Sequence, residues 1–324
     1  MNTLSNPPAL FRVEGLSLVR VTGEDAVEFL HGQFSQKIRG LAGRVRAAGY
    51  CSPKGRLLAV FRAFSLEEGT VHLLMPTATA AGFLKRIRMY VLRAKVKFEL
   101  LEPAPAMLLA AGEAGLSALE AAGLPRPERG ECLRSDGAAL LGLEPAAGIE
   151  GFTRSGPRTL LIAEKLPEAL ASAAAAEADG MGDLCWRASE MAAGMPVILP
   201  ETLDRFVPQA VNLELAGGVV FDKGCYPGQE VVSRVQHLGE TKRRSALEIF
   251  SGEAPLPGSP VYAESSSGAE EAGAVVDAVA IAGRSLVFAC ASLSAVEAGF
   301  SLSPDGPAGE KAPLPYAYRN VLED

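Results

Sequence analysis

The sequence predicts an α+β fold that ends in an all-β segment, and three observations carry that prediction. Helical and strand-like periodicities alternate through the first hundred residues. A weaker version of the same mixture follows to about residue 180. Beyond about residue 243 helical spacing gives way to short apolar runs separated by Gly, Pro and Ser. The hairpins in the first part argue against a parallel, doubly wound sheet.

Phe11 to Val21 reads as a strand, and Thr22-Gly23-Glu24-Asp25 caps a helix with Ala26, Phe29 and Leu30 on its apolar face. Tyr50 to Phe64 reads as a hairpin turning at Ser52-Pro53-Lys54-Gly55, with a buried second strand from Leu57 to Phe61. Val71 to Met75 reads as a strand, Thr77 to Tyr90 as a helix on Ala81, Leu84 and Ile87, and Ala94 to Leu100 as a strand. The second part has a helical stretch near Leu116 to Ala122, strands near Ala138 to Leu143 and Thr159 to Ile162, and an Ala-rich helix from Pro167 to Ala178. The late runs Ala246 to Phe250, Val261 to Tyr262, Gly273 to Val279 and Leu286 to Ala291 fit a small barrel or sandwich.

Composition bounds the function. The 324 residues suffice for two or three packed units, and 48% apolar with 21% charged residues is ordinary for a soluble globular chain. A net charge of -7 excludes a broad nucleic-acid surface and leaves room only for local basic strips, at Lys242-Arg243-Arg244 and at Arg86, Arg88, Arg93, Lys95 and Lys97. Either strip can equally be a solvated face. Five widely spaced cysteines, without a C-x-x-C pair, read as thiols of a reducing compartment and predict no stably bound metal. Residues Met1 to Pro8 lack the features of a secretory signal, and Asp277 and Arg284 interrupt the most apolar late stretch, around residues 273 to 296. The expected location is cytoplasmic, with no membrane contact. His31, His72 and His237 are too scattered for a metal site.

Phe221-Asp-Lys-Gly-Cys-Tyr-Pro-Gly-Gln-Glu230 is the most informative segment. Pro227 suits the first turn of a helix through Val231, Val232 and Val235 that stops near Gly239. Cys225 then precedes a helix N-terminus, where the dipole and Lys223 favour a thiolate. Gly224 and Gly228 allow unusual backbone angles and close approach of a ligand. The alternative is a buried structural cysteine on a glycine-rich turn.

The stretch from Trp186 to Arg244 resembles the YgfZ family of folate-binding proteins, relatives of the glycine-cleavage aminomethyltransferase (T-protein), whose signature K-G-C-Y-x-G-Q-E is present as Lys223, Gly224, Cys225, Tyr226, Gly228, Gln229 and Glu230. Ala193-Gly194-Met195-Pro196, Phe206-Val207-Pro208-Gln209, Asn212-Leu213, Gly239 and Lys242-Arg243-Arg244 agree as flanks. Gly23-Glu-Asp-Ala26, Phe29-Leu30-His-Gly-Gln33 and Pro53-Lys54-Gly55-Arg56 match upstream. The resemblance implies a T-protein-like (GcvT-like) fold around a central channel, divided as residues 1–102, 103–180, a motif segment 181–242 packed on that core, and a C-terminal β-barrel, 243–324.

It also implies a tetrahydrofolate pocket with Gln209, Asn212, Tyr226 and Glu190 as neighbours. Its implied role is support of iron–sulfur enzymes, including a radical methylthiotransferase acting on tRNA. Cys225 and Lys223 are the candidate catalytic residues. Two positions depart from the relatives. Where aminomethyltransferases place a catalytic aspartate, this chain has Arg56-Leu57-Leu58-Ala59-Val60, without an acid. The pteridine-binding glutamate of T-proteins corresponds to Ala192, and Glu190, where the family shows Arg, offers a carboxylate from a slightly different place. Three readings follow: a folate-binding accessory protein for iron–sulfur cluster assembly or repair, a tetrahydrofolate-dependent aminomethyltransferase of the glycine cleavage system, or a non-catalytic docking module for iron–sulfur proteins.

Overall fold

The stretch from Phe11 to Val21 folds as two strands, β1 (Leu10–Arg12) and β2 (Leu16–Thr22), where the sequence pattern suggested one. The break has a long-range cause: the Asp183 carboxylate accepts from the amides of Glu14 and Gly15, both at 2.8 Å, and turns the chain between them. This computed structural model describes residues 7–178, 180–238, 241–266 and 268–318, apart from the side chains of 237 and 238. Residues 1–6, at the start of the stretch read for a secretory signal, and the helix stop at Gly239 lie outside the described residues, as does the side chain of His237.

After β2 come α1 (Ala26–His31), β3 (Arg44–Cys51), β4 (Leu57–Ser65), β5 (Val71–Pro76), α2 (Thr77–Arg88) and β6 (Lys97–Leu100). The expected cap of α1 is absent as a side-chain bond, because the Asp25 carboxylate accepts from Lys95 N (2.7 Å) instead. The strands form an antiparallel sheet in the order β3-β4-β5-β2-β6, with the predicted hairpin at its edge. Phe34, Tyr50, Phe61 and Phe83 stack edge to face over it, with α1 and α2 supplying the rest of the apolar cover.

The second part contains β7 (Ala106–Ala111), α3 (Gly112–Ala121), β8 (Cys132–Ser135), β9 (Ala138–Ala146), β10 (Gly156–Ala163) and α4 (Glu168–Ala178), followed by α5 (Gly182–Ala192). Its sheet runs β1-β7-β10-β9-β8, so β1 leaves the first part of the chain to pair with β7. Leu116 and Leu119 from α3, with Leu170 and Ala174 from α4, bury one face of this sheet. The other face meets the first sheet through Val45, Phe64, Leu74, Leu109, Leu141 and Leu160.

The last part contains α6 (Gln229–Leu238), β11 (Arg243–Ser251), β12 (Pro260–Ser265), β13 (Gly268–Ile281), β14 (Arg284–Ser292), α7 (Leu293–Ala298) and β15 (Glu310–Ala312). The last sheet runs β12-β13-β14-β11-β15, and its strand pairings do not by themselves show the closed barrel that the resemblance implies. Ser301 bridges to Tyr262 of β12 and to Ala308, two residues before β15. No helix among the described residues is long and apolar enough to cross a membrane. The late apolar stretch becomes β13, β14 and part of α7, with Asp277 fully buried against Arg187.

α5 meets all three sheets. Trp186 joins the core between the first two, Glu190 pairs with Arg62 of β4 and Arg158 of β10, and Arg187 pairs with Asp277 of β13.

Candidate functional site

The motif loop is docked before its helix begins. Ser35 Oγ donates to Gly218 O (2.6 Å), Gln36 Nε2 to Gly217 O (2.7 Å), and Val220 N to Ser35 O (3.0 Å). Lys37 pairs with Asp222 at 2.6 Å. The upstream segment at residues 31–37 is therefore the bed on which the residues before Cys225 lie.

Lys223 is turned into this bed. Its Nζ donates to the carbonyls of His31 (2.6 Å), Phe34 and Gln36 (3.3 Å) and sits 5.1 Å from the centre of the Tyr226 ring. Burial, with a smaller contribution from Arg39, brings its pKa down to about 8. Lys223, expected as a positive neighbour of the thiol, has its ammonium engaged by these three backbone carbonyls through charge-assisted hydrogen bonds. Proline at the first helical position is corrected, since α6 starts at Gln229 and Pro227 lies in the preceding turn.

Gly228, with φ +80°, packs onto the Ser52–Gly55 turn. A Cβ there would lie 2.4 Å from Ser52 O and 2.6 Å from Gly55 Cα, while one on Gly55 would lie 2.7 Å from Val231 Cβ. The close approach that the glycine allows is to another glycine turn of the same chain. Gly224 has open space around its missing side chain. Gln229 Oε1 accepts from Tyr226 N (3.2 Å) and closes the turn, and Glu230 pairs with Arg234 one helical turn on. Held at both ends, the loop leaves Cys225 exposed, whereas Cys51, Cys132, Cys185 and Cys290 are buried. Tyr226 is buried with its hydroxyl unpartnered, and burial raises that phenol above its usual value.

The four folate candidates do not converge. Gln209 and Asn212 have no exposed surface and act as braces: Gln209 Nε2 donates to Val232 O (2.8 Å), and Asn212, at φ +60°, donates to Ser245 O (2.7 Å). Glu190 lines a separate cavity of about 20 Å³ with Arg62, Trp186, Met75 and Met195, and none of Gln209, Asn212 and Tyr226 reaches it. Its carboxylate accepts from Arg62, at the shorter contact and again at 3.0 Å, and from Arg158 Nη1 (2.8 Å). Glu144 completes the group at 2.8 Å from Arg62; burial pushes its pKa up, but the two guanidiniums outweigh burial and hold it low. Arg62 Nε and Arg158 Nη2 are buried donors without a hydrogen-bond acceptor.

Arg62, Glu144 and Arg158 escaped the sequence reading. A lone arginine inside the apolar run of β4 was the available signal, since a buried charge requires a partner. Asp204 escaped as well. It reaches the acid-free hairpin from elsewhere in the chain, accepting from Ser52 Oγ at 2.7 Å. His31 and His72 are structural: His31 Nδ1 accepts from Ile38 N (3.2 Å), and His72 stacks on Phe64 with a pKa lowered by burial to about 4. Among the described residues no three His, Cys, Asp or Glu side chains form a group that could hold a metal ion.

No protein-family model matches the chain. Among curated proteins, a tRNA-modifying protein YgfZ of Edwardsiella ictaluri is 31% identical over 240 residues, 73% of this chain and 70% of that protein. A protein of the same name from Hamiltonella defensa is 30% identical over 73% of this chain and 68% of its own. Among solved structures, the glycine cleavage system aminomethyltransferase T of Bartonella henselae superposes with a TM-score of 0.67 and 17% identity, over 90% of this chain and 81% of its own, and shares the fold.

Proposed function

The chain belongs to the YgfZ family, and from that premise we propose that it serves tRNA modification as a folate-binding accessory protein for iron–sulfur cluster assembly or repair, with Cys225 as its working thiol. Cys225 carries this reading: a loop anchored by Lys223 on one side and by Gly228 on the other presents the exposed thiol to a partner. A thiolate there can bind iron or attack an electrophile, and a cluster in transit would take its remaining ligands from the partner, a radical methylthiotransferase being the expected client. Division of the chain at about residues 102, 180 and 242 belongs to the same proposal.

The cavity beside Glu190 suits tetrahydrofolate in donor and acceptor chemistry. Arg62 Nε, a buried donor without an acceptor, suits the carbonyl edge of a pteridine, Glu190 its amino edge, and Trp186, Met75 and Met195 its faces. The space is that of about one water, so entry requires the flexible methionines to shift. When bound, a reduced folate supplies a one-carbon acceptor or a reducing ring. The aminomethyltransferase reading finds no acid within β4, and Asp204, which serves that turn, is engaged by Ser52.

Cys225→Ser tests the central proposal. The variant should accumulate normally in cells lacking the native gene, yet fail to restore iron–sulfur enzyme activity and tRNA methylthiolation. Restoration of both would make Cys225 structural. For folate, Trp186 is the only tryptophan and lines the cavity, so tetrahydrofolate should quench its emission saturably. Unchanged emission with no heat of binding would leave a docking role alone.

A further inference from the structure

Four cations converge on a cleft beside the helix that leaves the motif loop. Arg56, next to the glycine that Gly228 meets, and Arg205 line a cavity of about 490 Å³ together with Lys242 and Arg243 at the start of β11. Among the described residues none of the four forms an ion pair. Arg205 donates to the Gly258 carbonyl (2.8 Å), and Arg56 approaches the Asp204 carbonyl at 3.4 Å. Glu271 is the single carboxylate on the wall, and Thr241 adds a hydroxyl that is shut off from solvent without a partner. These four cations share one cleft in a chain that as a whole carries -7. A cleft lined by one sign of charge against that background focuses its field on an anion.

We propose that this cleft is a phosphate-binding site that engages two or more phosphates of one ligand. Guanidinium forks match phosphate oxygens in pairs, and Lys242 adds a point charge. Spread over separate segments of the chain, the four cations exceed the demand of a single small anion. Phe206 lies under Arg205 and is only 7% exposed, so the wall offers no open ring for stacking a base. Recognition is therefore of the phosphates and not of sequence. Val235 of α6 also lines the cleft, so a chain-like ligand held there runs beside the helix that begins at the motif loop. Two sources present this chemistry, an RNA backbone and a free polyphosphate. The assignment stands on the cleft alone and is independent of Cys225.

Titrations of inorganic tripolyphosphate and of a labelled single-stranded oligoribonucleotide, over a range of salt, distinguish these sources. In Lys242→Gln/Arg243→Gln, which alters two exposed side chains, affinity should fall about tenfold or more, and the slope of log K against log salt should shrink by about 1.4 for RNA. The control pair Arg93→Gln/Lys97→Gln changes net charge equally on the other basic stretch and should stay within about twofold. RNA bound at least tenfold more tightly than tripolyphosphate identifies the backbone as the ligand; tripolyphosphate bound without RNA identifies the small polyphosphate. Absence of both from the wild-type protein, equal weakening in the control pair, or equal competition by a tricarboxylate overturns the assignment.

Discussion

Thiol chemistry in this protein is sorted by burial. Desolvation disfavours a thiolate, and it pushes Cys51, Cys132 and Cys290 up to about 12 and Cys185 to about 11. Cys225 stands outside that environment, exposed on its loop. Iodoacetamide at neutral pH should therefore label Cys225 at least tenfold faster than the other four, read peptide by peptide in a mass-spectrometric time course. Comparable rates at Cys225 and Cys132 would overturn this ordering. Lys223 contributes by position: its three carbonyl acceptors fix the loop, and the same arrangement directs the ammonium into the 31–36 segment.

At the scale of elements, the motif is one half of an interlocked pair of turns. Gly228 and Gly55 touch backbone to backbone; a Cβ on Gly228 would run into the Ser52–Gly55 turn, and one on Gly55 into Val231 of α6. Gly228→Ala should cost about 2 kcal/mol or more, combining a left-handed backbone with a clash against Ser52 O. Gly224→Ala, with open space at its Cβ, should stay within about 1 kcal/mol. Urea unfolding of the two variants compares them directly, and equal losses would refute the interlock. Much of this region was legible in the sequence because its signals are local: Ser52-Pro53-Lys54-Gly55 marks the hairpin, and the motif marks the loop. The placement of charges was not legible. Lys223 finds its acceptors 187 to 192 residues away, and Arg62 finds Glu190 at a separation of 128, distances over which spacing carries no information. The same limit explains β1, whose apolar pattern fits either sheet until β7 captures it, and Asp204, which supplies a carboxylate to a turn that has none of its own.

At the scale of the whole molecule, α5 ties the three sheets together through ion pairs, while the last sheet holds a buried acid with no such partner. Glu248 of β11 has no exposed surface, and its Oε1 lacks a hydrogen bond. Phe300 N reaches Oε2 only at 3.4 Å, and a Cβ on Gly309 would lie 2.8 Å from that oxygen, so the returning chain covers the carboxyl closely. Burial raises its pKa from 4.5 to about 7, against weaker opposing contributions from the Phe300 and Gly309 amides and from Lys311. The folded state thus binds this proton more tightly than the unfolded chain does. The resulting stabilisation is complete below about pH 4.5 and is lost as pH rises through about 7, a change on the order of 3 kcal/mol. Carboxylates such as Glu144, held low by arginines, act in the opposite direction, so the total stability conceals this one. Subtraction reveals it: the unfolding free energy of the wild type minus that of Glu248→Gln, followed by urea titration from pH 4.5 to 7.5, should fall by about 3 kcal/mol across that window. A flat difference would mean that Glu248 ionises in the folded state as readily as in the unfolded chain, and that the cover formed by the chain around Phe300 and Gly309 opens to water.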